Sequence, residues 1–171
     1  MNRNARLALF AAALLTAGAA RADCKPLLDA MAKVAQQSRF AAYEVEGPEQ
    51  APTGEPDIVL VGKVSYVRSG DEWERIEVGD SVRDGAWYWS ALRAEMAAGE
   101  VRCRAAGSGA YRGAPVAKIH YERMKAGKAL ASGTVWIDRR SGLPVYEGAT
   151  DGSGGMAVVY GDAVKEPKVR R

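Results

Sequence analysis

His120 is the only imidazole in the sequence. To work as an acid or base near neutral pH it would need a nucleophile or carboxylate at a motif spacing. Strand alternation instead puts it with Lys118 and Glu122 on the more polar face, the place of a surface or half-buried structural histidine. No serine stands in a nucleophile-elbow pattern. The run Gly152-Ser153-Gly154-Gly155 has neither the Lys-Ser or Lys-Thr pair nor the following helix of a phosphate loop, so it reads as a flexible hairpin tip. Cys24 and Cys103 are the only cysteines, and no Cys-x-x-Cys occurs. These residue types predict no catalytic residue, no metal site and no cofactor. They leave the cysteines two states, one disulfide or two separate buried thiols. An oxidising compartment favours the Cys24–Cys103 bridge. Its loop of about 80 residues allows up to ~4.5 kcal/mol of stabilisation by chain entropy.

The aromatic residues are the richer signal. Trp73, Trp87, Trp89 and Trp136, with Tyr66, Tyr88, Tyr121, Tyr146 and Tyr160, are spread over nearly every predicted strand. One reading makes them ordinary sheet core, where aromatics are enriched. The other has them line an apolar cavity on a curled sheet, for an acyl chain or another hydrophobic ligand. The candidate lining is Leu28, Met31, Leu60, Tyr66, Trp73, Trp87, Trp89, Ile119, Tyr121, Trp136 and Tyr160.

The start of the chain predicts where these residues work. Arg3 and Arg6 precede an apolar run, Leu7–Gly18, and Ala20-Arg21-Ala22 offers small residues at a peptidase site. This is the order of a secretory signal, with cleavage expected between Ala22 and Asp23. The run is shorter than the ~20 residues a membrane span needs, so no transmembrane anchor is expected. Arg21-Ala22-Asp23 before Cys24 departs from the small residues of a lipid-attachment site. The protein is therefore expected to be periplasmic and soluble after cleavage. The whole chain has 24 basic and 21 acidic residues, and removing Arg3, Arg6 and Arg21 leaves 21 of each. A mature chain of zero formal charge lacks the basic field that grips nucleic acid.

The elements that position these residues follow from periodicity. Residues 1–22 are the signal, 23–162 one domain, and 163–171 a polar, solvated tail. Asp23–Ser38 predicts a helix, with Leu27, Leu28, Met31, Val34 and Ala35 on one stripe and Pro26 in its first turn. From Phe40 the period becomes two. Strands are expected over Ala42–Gly47, Ile58–Arg68, Trp73–Val78, Val101–Ala106, Ala114–Met124, Ser132–Asp138, Leu143–Thr150 and Met156–Asp162. Asp84-Gly85 predicts a tight hairpin leading into a strand at Trp87-Tyr88-Trp89, and Ala91–Ala98 a short helix ending at Gly99. Pro144 marks an edge or a strand end. The fold class is mainly β (α+β): a curled antiparallel meander forming an unclosed half-barrel, with both helices packed on its concave side.

Two stretches resemble the Lol-type periplasmic lipoprotein carriers and receptors (LolA/LolB-like). One is Val82–Trp89, an aspartate-glycine turn followed by aromatics. The other is Val135–Val145, a tryptophan-bearing strand with a Gly-Leu-Pro turn, followed by Val158–Asp162 and Pro167. The resemblance covers most of residues 23–171 as an order of elements. It implies an unclosed β-barrel with helices over its mouth and a cavity that takes up lipid. Trp73-Glu74-Arg75 stands nearest to the proline- and phenylalanine-rich stretch of true carriers, which marks a divergent member. The expected function is non-enzymatic binding of a lipid or lipoprotein acyl chain. The alternative is an envelope protein-interaction module with a filled core.

Overall fold

The computed structural model describes residues 24–77, 86–150 and 154–169, apart from the side chains of residues 86–91. The predicted signal peptide, its cleavage site and the Asp84-Gly85 turn lie outside the described residues. Helix α1 (residues 24–34) forms where the apolar stripe begins, and Cys24, Leu27, Ala30, Met31 and Val34 are all buried along it. Its solvent side carries an ion pair between Lys25 and Asp29 at 2.5 Å. The helix stops short of the expected Ser38. Its last turn tightens, with Gln36 N–H donating to Lys33 O and Gln37 N–H to Val34 O, and the chain then feeds directly into the first strand.

Nine strands follow: β1 (Arg39–Val45), β2 (Ile58–Val61), β3 (Val64–Ser69), β4 (Glu72–Glu77), β5 (Val101–Tyr111), β6 (Ala114–Lys125), β7 (Lys128–Asp138), β8 (Pro144–Ala149) and β9 (Gly155–Tyr160). Helix α2 (Ala86–Ala98) lies between β4 and β5. The strands make one antiparallel sheet in the order β4-β3-β2-β1-β9-β8-β7-β6-β5. The sheet does not close into a barrel, and both helices pack on it. Its edges are β4 and β5, so α2 joins one edge to the other. Among the described residues no helix is long and apolar enough to cross a membrane.

Two expected elements are corrected. Ile58–Arg68 is not one strand. Gly62, at φ 62°, reverses the chain in a two-residue turn with Lys63, and β2 and β3 form a hairpin. Trp87-Tyr88-Trp89 is not a strand either. These residues lie in α2, so the second arm that a hairpin at Asp84-Gly85 needs is helical. Aromatic β-propensity is a preference for a half-buried sheet position, and this segment leaves the edge of the sheet instead of pairing in it. The later strands run longer than expected. Arg112-Gly113 and Ala126-Gly127, all at positive φ, make two tight turns that let β5, β6 and β7 pair over ribbons of eleven and twelve residues. Pro144 is the first residue of an interior strand, where its missing N–H disturbs the ladder least.

Candidate functional site

Alternation along each strand sends one side-chain set under the helices. Phe40 and Ala42 on β1, Ile58 and Leu60 on β2, Ile119 and Tyr121 on β6, Val135 and Ile137 on β7 and Val158 on β9 form one apolar cluster. The stripe of α1, with Leu92 and Met96 of α2, packs into it. Six of the predicted lining residues belong to this face: Leu28, Met31, Leu60, Ile119, Tyr121 and Tyr160. Met31 is 1% exposed and Leu27 0%, so α1 fills the part of the concavity it covers.

Three others lie on the opposite face. Tyr66 and Trp73 pack with Ala41, Val59 and Val164, while Trp136 packs with Tyr111, Val116 and Tyr146. The reason for Tyr66 is the β2–β3 hairpin. In a continuous strand it would share a face with Ile58 and Leu60. In the hairpin it sits opposite Val59, and directly opposed residues point the same way. Trp136 has the parity opposite to Val135 and Ile137, so one sheet cannot aim all three inward. Trp87 and Trp89 are carried by α2.

Polar groups on the helix-covered face are paired. The Tyr121 hydroxyl donates to the Glu147 carboxylate, and burial together with that negative charge pushes the phenol well above its ordinary range. The ring lies against Gly133, where an added Cβ would come within 2.8 Å of the Tyr121 oxygen. The Tyr160 hydroxyl donates to Pro144 O at 2.7 Å, and burial alone raises that phenol strongly. Arg123 grips Glu95 of α2 with two parallel bonds, Nε to Oε2 at 2.6 Å and Nη2 to Oε1 at 2.5 Å. The guanidinium holds the Glu95 carboxyl below its usual range. This fork ties α2 to β6 and is the geometry in which arginine binds carboxylate best. Sequence reasoning missed both it and the Tyr121–Glu147 bond. Only the shared parity of Ile119, Tyr121 and Arg123 hinted at them.

Solved structures similar to this chain include the Mycobacterium tuberculosis lipoprotein LppX, with 16% identity and a TM-score of 0.44 over 88% of this chain and 97% of that one. Another is LprF from Mycobacterium bovis, with 10% identity and a TM-score of 0.41 over 86% of this chain and 95% of that one. No protein-family model matches the chain, and no curated protein does.

Three further residues or segments define how the site is held. Cys24 and Cys103 are joined, with Cα atoms 5.0 Å apart and a separation of 79 in sequence. The bridge fastens the first residue of α1 to the edge strand β5. His120 is not on a wet face: it is 6% exposed, 3.5 Å from the Thr134 hydroxyl and 3.5 Å from the Glu122 carboxylate. The tail is not wholly solvated either. Val164 is buried against Ala41, Val59 and Tyr66, its carbonyl accepts a bond from Arg39 at 3.1 Å, and Glu166 accepts one from the Tyr66 hydroxyl. A single apolar residue in a charged segment is enough to dock it where the sheet offers an uncovered apolar patch.

Proposed function

We propose that this chain is a non-enzymatic periplasmic module that holds a lipid or acyl chain between α2 and the concave face of the sheet. The observation that carries this reading is the single apolar face under two helices that are held differently. Helix α1 is fastened by a disulfide and packed to near-zero exposure. Helix α2 rests on Leu92, Met96 and the Arg123–Glu95 fork. An acyl chain would lie beside Leu92, Met96, Ile119 and Tyr121. Burying such a chain gains ~0.8 kcal/mol per methylene, which a mostly apolar surface supplies without any catalytic group. The resemblance to Lol-type carriers in the sequence points the same way.

The test is lipid extraction from protein purified without detergent from its native envelope, followed by mass spectrometry. A stoichiometric lipid or acyl species is expected, and lost when Ile119→Asp is introduced in protein that still melts cooperatively. The complete packing of Leu27 and Met31 favours a second reading, an envelope protein-interaction module with a filled core. Lipid-free protein that instead recovers one stoichiometric protein partner from envelope extracts would replace the first reading with the second.

A further inference from the structure

On the face of the sheet away from the helices, three aromatic rings meet in a compact group. Trp136 is edge-on to Tyr146, with centroids 5.4 Å apart at 72°, and Tyr111 stacks on Tyr146 at 6.0 Å. The free face of the Trp136 ring is not bare. The Lys118 ammonium sits over it, 3.6 Å from the ring centroid. Among the described residues that ammonium has the ring as its partner and no carboxylate within ion-pair distance. Ring and ammonium open into a recess of about 500 Å³, walled by Glu46, Glu49 and Tyr146. Ligand pockets typically span ~300–1,000 Å³.

The wall is built, not incidental. Gln50 turns the 46–50 loop back on itself, accepting the Glu46 N–H at 2.6 Å and donating its own N–H to Gly47 O at 3.2 Å. Arg112 stacks 5.1 Å over Tyr111 and donates to Gln50 O at 2.8 Å, which fixes that loop against the aromatic group. The Glu49 charge reaches the Tyr146 phenol and helps to raise it, so carboxylate and rings face one space. An electron-rich indole face in a recess lined by two glutamates attracts a cation. A primary ammonium held only by a ring is exchangeable, and an alkylated ammonium with a smaller hydration cost competes for the same face.

We propose that this recess binds an alkylated ammonium group of the trimethylammonium kind, with Lys118 as the internal cation that the ligand displaces. The site lies on the opposite face from the lipid surface proposed above and stands or falls separately from it. The same chemistry is offered by free choline and by a phosphocholine headgroup. The experiment titrates choline, glycerophosphocholine and the neutral isostere 3,3-dimethyl-1-butanol against the folded chain. The readout is the Trp136 indole N–H resonance, assigned with Trp136→Phe. Saturable shifts are expected for the cations and none for the isostere. The stronger of the two cations identifies the source. Lys118→Met is expected to tighten binding by about fivefold or more by removing the competing ammonium. Glu46→Gln with Glu49→Gln is expected to weaken it by a similar factor. Both variants change exposed or half-buried side chains, so the fold is retained. Equal binding of the isostere, no saturable shift with either cation, or a Lys118→Met variant no tighter than the parent overturns the proposal.

Discussion

Two buried phenols link single residues to stability. Tyr160 and Tyr121 both have folded-state acidities weakened by burial, with the Glu147 charge adding to the effect at Tyr121. In the unfolded chain a tyrosine loses its proton near pH ~10. Above that pH the unfolded state binds fewer protons than the folded one, so stability falls as pH rises. Their contribution is complete below pH ~10 and is lost progressively above it. Urea midpoints between pH 8 and 11 are expected to drop, and absorbance at 295 nm should show the buried tyrosines, Tyr121 and Tyr160 among them, still protonated when the exposed ones have ionised. Tyr160→Phe should remove one of these late-titrating groups. It should also cost about 1 kcal/mol at neutral pH, because the Pro144 carbonyl loses its donor. An unchanged alkaline limb in that variant would show that Tyr160 is not held as described.

At the scale of elements, the two helices are held by unlike means. The start of α1 is covalently tied to β5, and α1 buries Leu27, Ala30, Met31 and Val34. A helix of this length is marginal alone, so its place depends on those contacts. Replacing both cysteines by serine is expected to lower stability by ~2–5 kcal/mol, read from the denaturant midpoint. Leu27→Ala should cost a further ~2–5 kcal/mol through the cavity it leaves. A double cysteine variant that melts at the parent temperature would mean that packing alone anchors α1. The C-terminal segment is a third attached element. Its hold on the opposite face comes from Val164, Arg39 and the Tyr66–Glu166 bond.

The whole molecule depends on one long-range pairing. β1 lies between β2 and β9, and its register with β9 runs from Phe40 opposite Tyr160 to Val45 opposite Gly155. The first and last strands therefore join two hairpin ribbons, β2–β4 and β5–β8, into one sheet. Such non-local contacts form late and are slow to find. A chain ending at Ala149 lacks β9, which pairs with both β1 and β8, and lacks the buried Ala157, Val158 and Val164. It should show no cooperative melt by circular dichroism. A sharp transition in that truncation would mean that either ribbon folds without the other.

Local patterns settled much of this protein before any packing is considered. The α1 stripe, the alternation of β6 and β7 and the glycine turns at Gly127 and Gly142 depend on neighbours a few residues apart, so they are readable along the chain. The mainly β class and the unclosed sheet followed from counting strands joined by short turns. The cysteine pairing was narrowed to two options by composition and compartment. Its geometry came only from the fold, which brings β5 beneath the start of α1. The faces of the aromatic residues were decided by tertiary structure as well. One reversal at Gly62 sends Tyr66 away from Leu60, and a change from strand to helix at Ala86 takes Trp87 and Trp89 out of the sheet. Alternation tells which residues share a face within one strand. It does not tell which strand reverses, or which face of the finished sheet the helices cover, because those depend on contacts between residues far apart in sequence.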